Sequence, residues 1–276
     1  MAYINVGKEN TTPIDLYYED HGSGRPIVLI HGFPLSGVAW EKQVSALLKA
    51  GYRTITYDRR GFGKSSQTGI GYDFDTFNSD LNTLTESLDL RDVTLIGHSM
   101  GAGEVARYFG TRGANRVRQA VFISSIAPFL LKTNDNPEGI DASFYESTIQ
   151  SFTADRPTFM AEFFKNFFNL DVMLGKRISE EVLRAYWNIA VSASPIGTVA
   201  CVPTWPTDFR KDLPNVTVPS LIIHGADDRI LPLALTAERL HEAIKGSQLL
   251  VLKDGPHGIF WTHADEINQA LLDFLK

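Results

Sequence analysis

The sequence predicts an α/β protein: a mostly parallel, doubly wound sheet of about eight strands with a helical segment inserted into it. Three observations carry this. Apolar runs at Pro26–Ile30, Val93–Ile96, Val117–Ser124 and Pro219–His224 read as strands buried on both faces. Segments of helical period separate them. Between residues 126 and 215 that alternation stops.

Taken in order, Tyr3–Val6 and Ile14–Tyr18 alternate apolar and polar residues about a turn at Asn10–Pro13, as an antiparallel edge hairpin would. Pro26–Ile30 follows and ends in His31-Gly32-Phe33-Pro34. Residues 38–49 carry Trp40, Val44, Leu47 and Leu48 in a helical pattern. Arg53–Tyr57 is the next strand, closed by Asp58-Arg-Arg-Gly-Phe-Gly-Lys-Ser-Ser66. Phe77, Leu81, Leu84 and Leu88, at spacings of four, three and four, predict a helix over 75–88. The run from Val93 then leads into Gly97-His98-Ser99-Met100-Gly101 and a helix-compatible stretch to Phe109. After 215 the pattern resumes with the strand ending at His224, a helix near 234–245, a strand at 248–252 and a helix at 262–275. The expected division is a core of residues 1–125 and 216–276 with a helical cap at 126–215. The cap segment is rich in Phe and Trp, has helical patches near 141–152, 157–169 and 179–192, and is broken towards its end by Pro203, Pro206 and Pro214. Most of its aromatic residues are expected to pack the cap itself. A few are expected to line an apolar pocket over Ser99; the candidates are Phe129, Phe164 and Trp205, joined by Pro34, His98 and Ile230.

Composition narrows the function classes. Of 276 residues 43% are hydrophobic, enough for a large core, and the net charge of −6 leaves no basic footprint for nucleic acid. The one cysteine, Cys201, allows no internal disulfide and reads as a free, buried thiol. Without paired cysteines or an H-E-x-x-H sequence, no metal site is expected. The N-terminus lacks the apolar core of a signal peptide, and no apolar run approaches the ~18 residues of a membrane span. The expectation is a cytoplasmic protein with no membrane partner, in which the sequons at Asn10 and Asn215 are incidental.

The chemistry centres on Ser99. G-x-S-x-G by itself is a weak signal, and an ordinary strand–turn–helix junction is its competing reading. An apolar strand before it and a helix after it supply the context of a nucleophile elbow, where flanking glycines remove Cβ atoms that would clash in the tight turn. A serine hydroxyl needs a histidine to take its proton and an acid to orient that histidine. Of seven histidines, His21 lies in a polar loop, His241 on a helix surface and His263 near the start of the last helix, and His31 and His224 each end a strand before a glycine; these five read as structural or solvated. His98 adjoins the serine, but neighbours on a sharp turn point apart. His257, in Asp254-Gly-Pro-His-Gly258 after the last strand, is the expected base. For the acid, Asp227 and Asp228 both follow the strand ending at His224, and spacing does not separate them.

Along essentially its whole length the chain resembles the α/β-hydrolases, and more closely the cofactor-free haloperoxidases, a group that includes bacterial perhydrolases, aryl esterases and γ-lactamases. The resemblance rests on His31-Gly-Phe-Pro34, Tyr57–Ser66, Gly97-x-Ser-Met-Gly101, His224-Gly-x-x-Asp228 and Gly255-Pro-His-Gly258, and on the order Ser, Asp, His. It implies the α/β-hydrolase fold and selects Asp228, the third residue after the glycine of His224-Gly225. It carries the oxyanion hole onto the backbone N–H groups of Phe33 and Met100. It implies hydrolysis of small carboxylic esters, lactones or lactams through an acyl-enzyme, without cofactor or metal. Hydrogen peroxide would be a second acceptor, giving a peracid that oxidises halide; Pro34 stands where a proline is usual in the peroxide-using relatives. A homo-oligomer is also implied. The chain departs from the group at His98, where Phe is frequent; histidine there is common among esterases of the wider superfamily. Dehalogenases and epoxide hydrolases share the scaffold but use an Asp nucleophile, against which Ser99 argues. A small-ligand receptor on the same fold is the non-enzymatic alternative.

Overall fold

Eight strands form in chain order: β1 (Ala2–Glu9), β2 (Thr12–His21), β3 (Pro26–Ile30), β4 (Arg53–Tyr57), β5 (Val93–His98), β6 (Val117–Ile123), β7 (Ser220–Gly225) and β8 (Gln248–Leu252). In the computed structural model, which describes residues 2–276, they make one sheet in the order β1-β2-β4-β3-β5-β6-β7-β8. β1 and β2 are an antiparallel hairpin whose register shifts between Asn5 and Gly7, and β2 pairs antiparallel with β4. From β4 to β8 every pairing is parallel. Each residue of β5 and of β7 is buried, as expected of strands covered on both faces.

The helices are α1 (Glu41–Lys49), α2 (Phe74–Ser87), α3 (Met100–Arg112), α4 (Ala142–Phe167), α5 (Leu170–Met173), α6 (Glu180–Ser192), α7 (Pro195–Cys201), α8 (Ala237–Ala243), α9 (Ile259–Thr262) and α10 (Ala264–Phe274). The connection from β3 to β4 runs one way along the sheet, and those from β4 to β5 and onward run the other. Right-handed crossovers therefore put α1 on one face and α2, α3 and α8 on the other. The packing agrees: α1 lies on α10, and α2 on α3. The reversal falls between β3 and β5, and a crevice opens there at the carboxyl ends of the strands.

Between β6 and β7 the chain is helical, with no strand of the sheet. The patches expected at 141–152 and 157–169 are the two halves of α4. Its helix breaks at Asp155 (φ −155°, ψ 87°), whose carboxylate accepts from the Thr158 amide at 3.0 Å and so caps the second half. Pro157 sits in that half's first turn, where proline lacks no needed hydrogen bond. Helix α7 is not among the helical patches expected from the sequence, and it ends before the first of the breaking prolines, Pro203. Ser194 caps it through the Gly197 amide at 3.1 Å and Pro195 opens it. The helix expected near 234–245 is shorter, because Thr236 (φ −125°, ψ −84°) and Ile244 (φ −96°, ψ 99°) leave helical angles at its ends. The helix expected over 262–275 is α10, which starts at Ala264 because His263 (φ −123°, ψ 39°) leaves helical angles and separates it from the short α9.

Candidate active site

Ser99 stands between β5 and α3 with φ 55° and ψ −116°, a left-handed backbone that an L-residue rarely adopts. Its amide donates to Ile123 O at 2.9 Å, and its carbonyl accepts from Ala102 N at 3.0 Å, so both sides of the turn are tied down. The flanking glycines are required by close approach. A Cβ on Gly97 would strike the Gly101 carbonyl, and one on Gly101 would strike the Ile30 carbonyl.

Asp228 and His257 come from the loops after β7 and β8. Nδ1 of His257 lies 2.7 Å from Oδ2 of Asp228, with both side chains buried. The other carboxylate oxygen, Oδ1, accepts from the amides of Ile230 (2.9 Å) and Leu231 (2.8 Å). Burial pushes the Asp228 carboxyl up, but the facing His257, His224 and the Leu231 amide outweigh it and hold it below the usual carboxylate range. Nε2 of His257 is buried and without a hydrogen-bond partner. Asp227, the other candidate, is exposed, and its carbonyl accepts from Asn169 Nδ2 at 2.8 Å.

The loop after β3 is held from below. His31 is fully buried, and burial, reinforced by the Arg59 charge, lowers its pKa well below the ordinary value. Nε2 of His31 accepts from the Arg59 amide at 3.0 Å, which leaves Nδ1–H to donate to Gly32 O at 2.9 Å. The Arg59 guanidinium donates to His31 O at 2.8 Å and pairs with buried Glu104, which also accepts from Tyr57 Oη at 2.6 Å. The segment Tyr57–Ser66 thus acts through the β3 loop. The Phe33–Pro34 peptide is cis. Among the described residues, neither the Phe33 nor the Met100 amide donates to another residue. Met100, as the first residue of α3, has no partner within the helix.

A cavity of about 510 Å³ opens over Ser99, with Phe33, Met100, Phe163, Trp205 and Ile230 in its wall. Apolar side chains dominate it, while Glu162, Asn166 and Arg229 bring polar groups. Of the expected pocket residues, Trp205 and Ile230 line it; Phe129, Phe164, Pro34 and His98 do not. Phe129 is buried with the Arg210 guanidinium 4.6 Å over its ring, and its neighbour Leu130 faces the cavity instead. Phe164 packs on Phe167, Phe168 and Tyr186; Phe163, one residue and 100° earlier on the helix, takes the wall. Pro34 is buried beside Phe33, whose ring meets Trp205 at 5.1 Å. His98 is buried beneath Ser99, against Phe260 (4.7 Å) and His257 (4.9 Å).

From the sequence, His224 reads as a structural or solvated residue. Its Nε2 lies 2.8 Å from Leu231 O and 3.4 Å from Asp228 Oδ2, so it borders the carboxylate that His257 uses. Asn169 was missed altogether. It adopts φ 48°, a left-handed backbone that asparagine tolerates, and this was its only local signal. Cys201 is free and buried, and burial pushes its thiol up to about 12. Among the described residues no group of histidine, cysteine and acidic side chains has the arrangement of a metal site, and no helix is long and apolar enough to cross a membrane.

Known proteins share this arrangement of strands and loops. A family profile for the alpha/beta hydrolase fold matches residues 25–264. A provisionally named non-heme chloroperoxidase of Synechocystis is 59% identical over the full length of both chains. The crystal structure of a bromoperoxidase from Bacillus anthracis superposes with a TM-score of 0.95 at 50% identity, covering 99% of each chain. A bifunctional esterase/perhydrolase of Acinetobacter calcoaceticus is 32% identical over 95% of this chain and 96% of its own length.

Proposed function

The chain belongs to the α/β-hydrolase family, in the group of non-heme haloperoxidases, perhydrolases and esterases, and from that premise we propose that it hydrolyses and perhydrolyses small carboxylic esters through a serine acyl-enzyme. The observation that carries this is the 2.7 Å contact between His257 Nδ1 and Asp228 Oδ2, made while Nε2 of the same ring stays unpaired and the ring lies 4.9 Å from that of His98, the neighbour of Ser99. In this reading Ser99 Oγ attacks the acyl carbonyl and His257 Nε2 takes its proton. Asp228 holds the imidazole in the Nδ1–H tautomer and faces the positive charge it acquires. The oxyanion accepts from the amides of Phe33 and Met100, each such donor being worth about 2.7–4 kcal/mol. Nε2–H then protonates the leaving alcohol, and the acyl-enzyme forms. Water or hydrogen peroxide gives up a proton to Nε2 and attacks the acyl carbon; as the acyl–Oγ bond breaks, Nε2–H returns that proton to Ser99 Oγ, releasing acid or peracid. Lactones and lactams of similar size would enter by the same attack.

Residues 126–215 serve as the cap in this reading, closing an apolar cavity in which the charges of the reaction are little screened by water. The test is p-nitrophenyl acetate hydrolysis with and without a serine-directed phosphonate. Inhibition with one phosphonyl group on Ser99 is expected; turnover that ignores the reagent overturns the serine mechanism. Peracetic acid formation from acetate and hydrogen peroxide at mildly acidic pH tests the perhydrolase half, and its absence leaves an esterase.

A further inference from the structure

The main-chain carbonyl of His257 lies within hydrogen-bond reach of two side chains. Nε2 of His98 is 3.2 Å from it, and Ser124 Oγ is also 3.2 Å away. The two donors stand at the ends of adjacent strands: His98 closes β5, and Ser124 follows β6. A carbonyl carries no proton, so the His98 contact is a hydrogen bond only in the tautomer with Nε2–H. Burial keeps this ring neutral, and its Nδ1 is buried without a partner. That bare nitrogen faces Gly32, where a Cβ would come within 2.5 Å of it. Ser124 is fixed by its own backbone, with φ 44° and its amide donating to Ile223 O at 2.9 Å.

We propose that His98 and Ser124 are positioning residues for His257, clamping its carbonyl from two strand ends so that the imidazole meets Ser99 and Asp228 in one orientation. The proposal rests on the reading of Ser99, Asp228 and His257 as a triad. It also gives His98 a part that an aromatic ring alone would not play. Phenylalanine would satisfy the packing against Phe260 and Phe167, but it has no N–H to donate. Small displacements of a reacting group weaken catalysis steeply, so a clamp on the base acts on turnover rather than on substrate binding.

The experiment compares His98→Phe, His98→Gln, Ser124→Ala and the double variant His98→Phe/Ser124→Ala in p-nitrophenyl acetate hydrolysis. Each single loss of a donor should lower kcat about three- to tenfold with KM within about twofold. The double variant should lose more than the product of the singles, because either donor alone still holds the carbonyl. His98→Gln, which retains an N–H near the Nε2 position, should recover most of the turnover lost in His98→Phe. A double variant with kcat within about twofold of wild type, or one changed in KM alone, overturns the proposal. If the double variant melts below the assay temperature, equal kcat in His98→Phe and His98→Gln overturns it instead. Failure of the triad reading is separable: His257→Gln would then retain turnover whatever the clamp variants do.

Discussion

His224 and His257 converge on one carboxylate oxygen: Oδ2 of Asp228 is 2.7 Å from Nδ1 of His257 and 3.4 Å from Nε2 of His224. His224 spends its Nε2–H on Leu231 O at 2.8 Å, so the short bond to Asp228 belongs to His257. With Oδ1 occupied by two main-chain amides, the carboxylate cannot turn, and the direction of its Oδ2 lone pairs is set by the loop.

On the proposed mechanism, Ser99→Ala should abolish ester hydrolysis and leave the melting temperature within a few degrees of wild type. Serine and alanine face similar backbone strain at φ 55°, so the fold loses little. Retention of more than a few per cent of turnover by the purified variant would reject Ser99 as nucleophile.

Asp228→Asn should cut kcat by about four orders of magnitude, as tautomer loss does in a serine triad. Asp227→Asn should cost little, because that side chain is exposed. Steady-state kinetics on the two variants settle the order, and a larger loss at Asp227 would reverse it.

Stability should fall on acidification. Burial holds the pKa values of His31, His98 and His224 below the ordinary histidine value. The sign follows from proton counts. Below pH ~6.5 the unfolded chain binds protons that the folded chain refuses, so stability is complete above that pH and is lost as pH falls towards the folded values. Each histidine contributes a slope of about 1.4 kcal/mol per pH unit, about 4 for all three. Calorimetric melting from pH 7.5 down should show a falling Tm, with a shallower fall in His98→Phe. A Tm independent of pH over that range would contradict it.

Glu104→Leu should destabilise the fold by about 3–5 kcal/mol, because it leaves the Arg59 guanidinium charged and unpaired in the core. Both side chains are almost wholly buried, at 1% and 0% exposure. Adding Arg59→Met should restore much of the loss, since an apolar pair of similar volume needs no partner. Urea unfolding of the single and double variants measures this. A single variant as stable as wild type would show that the pair is dispensable.

The sheet was legible because a strand covered on both faces carries an uninterrupted apolar run, as Ile27–Ile30, Leu95–Ile96, Ala120–Ile123 and Leu221–Ile223 do. The elbow was legible because Gly97 answers a steric demand within the turn, where a Cβ would meet the Gly101 carbonyl, and Gly101 one set by the neighbouring strand β3. The halves of α4 could be read from the Phe spacing, whereas α7 is only seven residues long and, with Gly197 inside it, offers no helical stripe; its signals are the capping Ser194 and Pro195 at the first position.

Local pattern thus carried the chain as far as strand ends, the elbow serine, and two adjacent aspartates that it could not separate. Packing drew the remaining distinctions. Asp228 differs from Asp227 in being buried on two amides and a ring nitrogen, groups supplied by Ile230, Leu231 and His257. Leu130 and Phe163 reach the cavity where Phe129 and Phe164 were expected, a matter of one residue's rotation that composition does not record. The contact of His98 with the carbonyl of His257 joins residues 159 positions apart. Short-range pattern reports which face of an element is apolar. Which buried polar groups meet across the sheet is settled only when long-range packing takes water from them and leaves each other as partners.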